Sequence, residues 1–495
     1  MTGAVQSKLL AGWSDPAAVF AALYRADRYT FWLDAGPGAR TGVSYLGAAS
    51  PTSRFITASV AEGTITSRYV RARHPAPPRV THETVFEFLR RDLAAHGAGG
   101  DNPEGDGFDL GWVGWLGYEL GAQTVGAPGF ESRYPDAALL EIDRMIRFDH
   151  GDRTVTLVAR APATESRSFV TDWFEQMTEA LAATATTATA ATTTAMAATT
   201  TAMATTAPEP SGPSRPGASA ASHWRHRPTA YAALIETCLA AIHDGDAYQL
   251  CLTNEIRVPG RWHPVDTYGV LRAGSPSHHG GLLRFGDVAL LSASPEQFLH
   301  VGRDRRIRTK PIKGTRPRSS DPVEDDRLKL ELQHSDKERA ENLMIVDLMR
   351  NDLGRIAKLG TVAVSTLLAV ESYPHVHQLV STIEAQLAPG VTVIDAIEAC
   401  FPAGSMTGAP KQSAMTILDS LEQGPRGIYS GAFGYIGHGG SVDLAIVIRS
   451  IVLDSAGASI GTGGGITALS DAAEEIEETR IKAAALLTSL GVTAP

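Results

Sequence analysis

The chain has 495 residues and a formal net charge of −10, with 43% hydrophobic and 20% charged residues. Such a composition is typical of a soluble globular protein with one large or two ordinary domains. The acidic balance argues against a nucleic-acid partner, and no apolar run approaches the roughly 20 residues of a membrane span. Three cysteines without metal-type spacing, and a start without signal-peptide features, favour a reducing cytoplasm.

Residues 1–181 contain short β-type runs and a helical run, which predict a mixed N-terminal region. The runs 30–33 and 154–158 predict strands, and 83–95 predicts a helix. A glycine- and aromatic-rich run, 111–118, predicts a further strand. Its recurring glycines indicate close packing against another backbone.

Residues 182–222 stand apart in composition. From 182 to 207 the chain is almost entirely alanine and threonine with a few methionines, and a proline-rich piece follows. Clustered threonines lose rotamer freedom in a helix, which works against the helical preference of alanine. We therefore predict a low-complexity linker between the N-terminal region and a catalytic region at 223–495.

Lys313 lies in a Pro-Ile-Lys-Gly-Thr run at 311–315. A lysine between a Pro-Ile step and a Gly-Thr turn is positioned by the backbone. A lysine amine acts as a covalent nucleophile when burial or nearby cations lower its pKa. Lys310, Arg316 and Arg318 are candidates for such cations. The alternative is a basic, solvated loop around a turn.

Two helical runs each carry a pair of carboxylates three residues apart. Glu338 and Glu341 belong to the first, and Glu475 and Glu478 to the second, at 472–487. Residues at i and i+3 share a helix face. Two such helices can hold Mg²⁺ together with water and an anionic substrate. The alternative for each pair is a solvated face with weak ion pairs.

A glycine run at 461–465 follows a predicted strand at 458–460. Backbone N–H groups without side chains suit close approach to a carboxylate or phosphate. A dinucleotide site is disfavoured, because Ile466 breaks the strict motif and too little chain follows for a βαβ unit. The turn at 401–411 resembles a phosphate loop only superficially, since Pro410 has no N–H to donate.

Together these segments resemble the chorismate-utilising enzymes: anthranilate synthase component I, aminodeoxychorismate synthase component I, isochorismate synthases and salicylate synthases. The resemblance covers essentially all of 223–490 and is looser in the N-terminal region. It implies an α/β fold of the α+β type, the anthranilate synthase component I-like fold, with large antiparallel sheets flanked by helices and built from both halves of the chain. The matching segments are 292–296, 311–316, the Glu341 helix with 347–352, 401–411, 427–431, 446–449, 461–465 and 478–480.

Two residues distinguish among the members of this family. Aminodeoxychorismate synthases share Lys313, whereas anthranilate synthases typically have alanine there. Isochorismate and salicylate synthases place a water-activating lysine where this chain has Gln249, and an amide is not a base. The resemblance therefore implies an enzyme that forms 4-amino-4-deoxychorismate from chorismate and ammonia through a covalent adduct of Lys313. Two alternatives stay open: anthranilate synthase component I, with Lys313 a bystander, and a non-catalytic chorismate-binding subunit.

The resemblance also implies the remaining roles. Glu296 would be the general acid for the leaving hydroxyl and then a base. Glu341 and Glu478 would bind Mg²⁺, supported through water by Glu338 and Glu475, and the metal would hold the ring carboxylate. Ammonia would come from a separate glutamine amidotransferase subunit. The substrate-binding residues would be Gln249, Thr315, Ser405, Tyr429, Arg449, Gly463, Gly464, Gly465 and Lys482.

Two positions depart from the family pattern. Gln378 stands where many members have histidine before a Leu-Val-Ser run, and His377 precedes it, so either could meet the substrate. Ser405 stands where threonine is common. The sequence leaves open whether the product serves folate or a secondary metabolite, whether the N-terminal region binds an effector, and the oligomeric state.

Overall fold

The computed structural model describes residues 4–71, 76–96, 107–161, 168–201, 222–373 and 375–492, with the backbone alone for 185–201. The α-helices within these residues are α1 (Pro16–Tyr24), α2 (Val85–His96), α3 (Gly121–Thr124), α4 (Ser168–Thr201), α5 (Pro228–His243), α6 (Pro264–Gly274), α7 (Pro322–His334), α8 (Asp336–Gly354), α9 (Val393–Cys400), α10 (Lys411–Glu422) and α11 (Ala472–Ser489).

The strands within the same residues are β1 (Val5–Leu10), β2 (Tyr29–Asp34), β3 (Val43–Ala48), β4 (Arg54–Ser59), β5 (Thr64–Tyr69), β6 (Arg79–His82), β7 (Gly111–Leu116), β8 (Ala137–Ile142), β9 (Arg144–Asp149), β10 (Thr154–Arg160), β11 (His223–Trp224), β12 (Gln249–Pro259), β13 (His279–Phe285), β14 (Val288–Ser294), β15 (Gln297–Val301), β16 (Arg306–Lys310), β17 (Ile312–Pro317), β18 (Ala363–Ser372), β19 (Val376–Gln386), β20 (Gly408–Ala409), β21 (Ala432–Gly437), β22 (Val442–Ile446), β23 (Ser450–Asp454) and β24 (Gly457–Ile466).

These strands form two large antiparallel sheets. The first sheet has the order β1-β10-β9-β3-β2-β13-β14-β23-β24-β12-β11, with β20 on β12. The second has the order β17-β19-β16-β15-β22-β21-β7-β8-β4-β5-β6, with β18 on β19. Strands from both ends of the chain pair in each sheet, β2 with β13 and β7 with β21. The regions 1–181 and 223–495 therefore share both sheets.

The glycine-rich strand predicted at 111–118 is β7, and it is buried along its whole length. Its glycines have no room for a side chain. A Cβ on Gly114 would lie 1.9 Å from the carbonyl oxygen of Ala138 in β8. Gly434 of β21 is its partner on the other side, and a Cβ there would lie 2.0 Å from the carbonyl oxygen of Asp443. The predicted close packing against another backbone is confirmed.

The chain passes between the two sheets several times, and two of these crossings lie side by side. β14 of the first sheet continues through 295–296 into β15 of the second, and β22 of the second continues through 447–449 into β23 of the first. The Ile446 N–H donates to the Glu296 carbonyl oxygen at 3.0 Å and joins the two crossings. The crossings therefore carry Glu296 and Arg449 to the same place.

Two helices lie over the sheets beside these crossings. α8 packs against β17 and β19, and α11 packs against β24. The Ser335 hydroxyl caps α8 by accepting the Glu338 N–H at 3.4 Å, and the Asp471 carboxylate caps α11 by accepting the Ala473 N–H at 2.9 Å. Caps of this kind fix where a helix begins. They therefore also fix the position of the acidic residues in the first two turns.

The predicted helix at 83–95 is α2, and the predicted strands at 30–33 and 154–158 lie within β2 and β10. The glycine run at 461–465 differs from its prediction. It was expected to follow a strand, but it lies inside β24 and pairs with β12. The run is part of a strand because each of its five residues pairs with a residue of β12, which the sequence alone does not show.

Helix α4 extends to Thr201, so the predicted boundary at 181 falls inside a helix. The helical preference of alanine outweighs the threonines in this stretch. Residues 202–221 of the predicted linker lie outside the described residues, and the linker stays a prediction. In the part of the chain that the structure describes, no helix has the length and apolarity needed to cross a membrane.

Substituting Gly114 by alanine tests the close packing of β7. We expect Gly114→Ala to lower the free energy of unfolding by about 3 kcal/mol or more, because the added methyl meets backbone that cannot move aside. Gly269→Ala is the control: it lies in α6 with nothing within 4 Å of the added Cβ, and should raise stability by up to ~1 kcal/mol. Urea denaturation measures both. Equal effects of the two substitutions would contradict the packing argument.

Candidate active site

A cavity of about 1490 Å³ opens beside the two crossings. It gathers side chains from both sheets and from the two capped helices. All of the predicted site residues except Gln249 and Glu475 line it. Those lining residues are Glu296, Lys313, Thr315, Glu338, Glu341, Ser405, Tyr429, Arg449, Gly463, Gly464, Gly465, Glu478 and Lys482.

Lys313 projects from β17, where the pairing with β19 is irregular. The register shifts between Lys313 and Thr315, and Gly314 has a φ of +81°. A side chain at Gly314 would be strained, and its Cβ would lie 2.7 Å from Leu332 and 2.8 Å from Glu338. A β-bulge at Gly314 therefore positions Lys313, as predicted from the backbone, and only glycine accommodates this conformation.

The charges around Lys313 are the opposite of those predicted. Its ammonium lies 3.4 Å from the Glu341 carboxylate. Burial lowers the pKa of Lys313, but the carboxylates of Glu341, Glu296 and Glu478 outweigh it and raise the pKa above the usual lysine range. In this structure the amine is a buried ammonium held by acids.

The three flanking cations are occupied elsewhere, so the prediction that they lower the pKa of Lys313 is wrong. Lys310 pairs with Glu371 at 3.1 Å. Arg316 pairs with Glu331 at 2.9 Å, and Arg318 pairs with Asp325 at 2.8 Å. Alternate strand residues point to opposite faces, and these ion pairs draw the cations away from the amine.

Glu296 is 5% exposed and lies at the first crossing. Burial raises the pKa of its carboxyl to about 7, against the opposing effects of the Ser405 hydroxyl and the Lys313 ammonium. A carboxyl of this kind is protonated over much of the neutral range and can donate a proton. The prediction of a raised pKa for this residue agrees with its surroundings.

The glycine run on β24 lets other side chains reach the cavity wall. A Cβ on Gly461 would overlap the Tyr429 ring. A Cβ on Gly464 would lie 2.8 Å from Glu475 Oε2, and one on Gly465 would lie 2.4 Å from Gln249 Nε2. Gln249 and Glu475 thus lie directly behind these glycines.

Gln249 is completely buried, and neither atom of its amide has a hydrogen-bond partner among the described residues. A buried amide without partners costs about 1–3 kcal/mol, so it is uncommon outside sites that bind a ligand. A Cβ on the adjacent Gly465 would also lie 3.3 Å from Lys313 Nζ. The unpaired amide therefore lies close to the amine.

The acidic residues of α8 and α11 face one another across the cavity. Burial, and then repulsion by Glu341 and Glu478, raise the pKa of Glu338. Carboxylates crowded in this way, in a cavity with room for water and a ligand, are the donor set that Mg²⁺ prefers. The residues present therefore fit the predicted ion, with Glu341 and Glu478 as the carboxylates that would hold it.

Arg449 has a φ of 51°, a strained conformation for a residue with a side chain. Burial lowers the pKa of its guanidinium, which has neither an ion pair nor a hydrogen bond with the residues that the structure describes. An unpaired, half-buried guanidinium suits a carboxylate ligand. Lys482 pairs with Glu478 at 2.7 Å, one helical turn away as predicted, and donates to the Gly463 carbonyl oxygen at 2.8 Å.

The structure distinguishes between His377 and Gln378. Gln378 lines the cavity. His377 points to the other face of β19, where it hydrogen-bonds the Ser372 hydroxyl at 2.8 Å and lies 3.1 Å from Asp325. Lys337 and Cys251 were not among the predicted site residues, and they also line the cavity. Lys337 is one turn before Glu341, and Cys251 shares a strand face with Gln249, so both could have been found from spacing.

Arg426 lies behind the cavity and connects several of its walls. Its guanidinium donates to the carbonyl oxygens of Met406 (2.6 Å) and Cys251 (2.8 Å), and it forms an ion pair with Glu422 at 2.7 Å. The pair is almost fully buried. The segments it joins carry Ser405 and the neighbours of Gln249, so this arginine positions the wall without touching the cavity.

A second cluster of acidic and histidine side chains lies elsewhere. Asp92, His96, Glu141 and His438 have ligand-type atoms within 4.8 Å of one another, and none of them lines the cavity. Arg54 pairs with both carboxylates, at 2.7 Å and 2.5 Å. One guanidinium thus pairs with both carboxylates, and the cluster is a largely buried ion-pair network.

The chain is similar in sequence to known proteins. A family profile described as chorismate binding enzyme matches residues 30–488. The chain belongs to the chorismate-binding enzyme family. It is 40% identical over 488 residues to "Aminodeoxychorismate synthase" from Streptomyces pristinaespiralis, which covers 96% of this chain and 64% of that protein. It is 42% identical over 486 residues to the protein of the same name from Streptomyces griseus, with 97% and 63% covered.

Among solved structures, the fold matches anthranilate synthase component I from Streptococcus pneumoniae with a TM-score of 0.73 and 27% identity, covering 91% of this chain and 92% of that one. The fold predicted from the sequence is confirmed. The present chain spans less than two thirds of the length of the two Streptomyces relatives.

Substituting Gly465 by alanine tests whether the space beside Lys313 matters. The added methyl would lie 2.4 Å from Gln249 Nε2 and 3.3 Å from Lys313 Nζ. We expect a loss of activity of about 100-fold, because a displacement of about 1 Å at a reacting group has an effect of this size. Gly424→Ala, with nothing closer than 3.1 Å and no contact with the cavity, is the control and should retain activity. Steady-state kinetics measure both variants.

The raised pKa of Glu296 predicts a pH-dependent effect on stability. In the unfolded chain the carboxyl ionises near pH 4.3, and in the folded protein near 7. The folded state therefore loses stability relative to the unfolded state as pH rises between these values. Glu296→Gln removes this loss, so the variant should gain stability over the parent protein at pH 8 and little at pH 5. Urea denaturation at both pH values measures the difference, and an equal effect at both would contradict the assignment.

Proposed function

We propose that this chain is component I of aminodeoxychorismate synthase, which converts chorismate and ammonia to 4-amino-4-deoxychorismate without loss of pyruvate. The observation that carries the proposal is the Lys313 amine at the base of a cavity that Glu296 and Glu341 also line. The names of the two Streptomyces relatives support the same reading.

The first step uses Lys313 as a nucleophile. Its ammonium first loses a proton to water. The neutral amine then adds to C2 of the chorismate ring, the two ring double bonds shift, and the C4 hydroxyl leaves as water with a proton from Glu296. The burial that raises the pKa of Glu296 keeps that proton available. The amine is bonded to C2 as a secondary ammonium, and Glu296 is left as a carboxylate.

The second step reverses the shift of the double bonds. Ammonia adds to C4, the double bonds return to their first positions, and Lys313 leaves C2 as a neutral amine. The Glu296 carboxylate takes the proton that the new C4 ammonium loses. Chorismate and ammonia thus give 4-amino-4-deoxychorismate and water, with both side chains restored. Two displacements at the ring retain the geometry at C4.

The anionic groups of chorismate require cationic partners in the cavity. The unpaired guanidinium of Arg449 suits one carboxylate, and Tyr429 and Lys482 lie on the same wall. When bound at Glu341 and Glu478, Mg²⁺ supplies the positive charge for the ring carboxylate. Thr315, Ser405 and the β24 glycines complete the substrate surface.

Gln249 supports ammonia over water as the nucleophile. Its amide cannot remove a proton from water. Ammonia carries its own basic lone pair and needs no such help. We propose that a glutamine amidotransferase partner delivers the ammonia.

The free thiols of Cys238, Cys251 and Cys400 support a cytoplasmic location.

Product identity tests the proposal. Purified protein is incubated with chorismate, Mg²⁺ and an ammonium salt, and the products are identified by mass spectrometry. We expect 4-amino-4-deoxychorismate, and a loss on the order of 10³-fold or more in Lys313→Ala, because the nucleophile is gone. Lys310→Ala, which removes the same charge three residues away, should retain activity.

Anthranilate and pyruvate as products would contradict the proposal and would assign the chain to the anthranilate synthases. The fold of the Streptococcus pneumoniae anthranilate synthase component I supports this alternative. Full activity of Lys313→Ala would exclude the covalent step. Tight chorismate binding without any product would favour a non-catalytic subunit.

A further inference from the structure

Every carboxylate predicted to support the metal site has a basic partner. The partners come from three different elements of the structure, and two of the four pairs are at 2.9 Å or closer. The four pairs are Lys482–Glu478 at 2.7 Å, Lys337–Glu475 at 2.9 Å, Lys313–Glu341 at 3.4 Å and Arg316–Glu338 at 3.7 Å.

Three of these pairs have a structural explanation that does not involve the reaction. Lys482 and Glu478 are one turn apart on α11. Glu475 is 2% exposed, and besides Lys337 it accepts a hydrogen bond from the Ser470 hydroxyl at 2.8 Å, so it is fixed behind the wall. Arg316 has its closer contact with Glu331, and its contact with Glu338 is loose.

The pair of Lys313 and Glu341 is different. It joins the proposed nucleophile to a proposed metal ligand, and both side chains are largely buried, at 13% and 9% exposed. In the described part of the chain, Lys313 is the one basic group within ion-pair distance of Glu341. Glu341, whose carboxylate would bind a divalent cation, is thus paired with Lys313, whose amine would react.

An ammonium and a divalent cation cannot share this carboxylate at close range, because two cations in a buried site repel strongly. The lysine chain is flexible, and Lys313 and Glu296 line the same large cavity, which gives the amine room to move. Gln249 also lies close to the amine, beside Gly465. The amine therefore has a second position near the reacting groups.

We propose that Lys313 and a divalent cation compete for the Glu341 carboxylate, so that Lys313 is held on Glu341 in the metal-free enzyme and turns toward the ring when a divalent cation occupies the carboxylate. This inference rests on the proposed function for the role of Lys313, but its test needs no product. It makes the availability of the nucleophile depend on the metal.

Calorimetric titration of the full chain with Mg²⁺ alone, without chorismate or ammonia, tests the competition. We expect Lys313→Met to bind Mg²⁺ about tenfold more tightly than the parent protein, a typical size for coupling between two ligands. Lys310→Met removes the same charge from a neighbouring position paired with Glu371, and should bind Mg²⁺ as the parent does. Lys313→Arg keeps a cation on Glu341 and should show no tightening.

Equal Mg²⁺ affinity of Lys313→Met and Lys310→Met overturns the inference, and so does the absence of Mg²⁺ binding by the parent protein. Tightening in Lys313→Arg also overturns it. A crystal structure with Mg²⁺ bound gives an independent readout: Lys313 Nζ should no longer lie within ion-pair distance of Glu341, and an unchanged pair would contradict the competition.

The product assay separates this inference from the proposed function. An enzyme that makes 4-amino-4-deoxychorismate, with equal Mg²⁺ affinity in both methionine variants, keeps the function and loses the competition. A protein that makes anthranilate, but shows the tightening in Lys313→Met, keeps the competition and loses the function. Thermal unfolding of each variant confirms that the compared proteins are folded.

Discussion

The site depends on two neighbouring crossings of the chain from one sheet to the other. At 295–296 and 447–449 the backbone leaves one hydrogen-bonded ladder and enters another, and one backbone hydrogen bond, from Ile446 to Glu296, joins the two crossings. A residue at such a crossing belongs to neither ladder, so its side chain can point into the gap between the sheets. Glu296 and Arg449 do so, and the positive φ of Arg449 is the strain that this direction requires.

The lysines at the cavity form ion pairs with carboxylates, two of them with a carboxylate from another element. Lys313, Lys337 and Lys482 each meet a carboxylate, and burial, which disfavours the charged form of Glu296, raises the pKa of its carboxyl to about 7. Among the described residues, the Arg449 guanidinium and the Gln249 amide have no hydrogen-bond partner in the protein. Buried polar groups without partners cost stability, and binding of an anionic, hydroxylated ligand offsets that cost.

The part of the cavity wall that β24 forms consists largely of glycines, because side chains of other elements approach its backbone closely. The run on β24 leaves room for Tyr429, Glu475 and Gln249 at distances that no Cβ would permit. Behind that wall the buried pair of Arg426 and Glu422 joins the neighbouring segments. Removing one member of such a pair leaves an uncompensated buried charge, so the wall depends on residues that never meet the ligand.

The sequence by itself determined the residue types of the chemistry and the family. The acidic pairs at i and i+3, the lysine before Gly-Thr and the order of the short segments are local patterns, and local patterns are visible in one dimension. Nearly all of the site residues that they predicted line the cavity, and the other two, Gln249 and Glu475, lie behind it. They also predicted the strand β7 and its close packing, because glycine at that spacing has few other uses.

Only the tertiary structure decided the surroundings of each group. Lys313 was expected among cations and lies among acids, because Glu341 and Glu478 come from helices distant in sequence, while the neighbouring cations pair elsewhere. Gln378 rather than His377 reaches the cavity because of the register of β19, and the glycine run is a strand because β12 pairs with it. Electrostatic environment and register are sums over residues far apart in the chain, so no local pattern contains them.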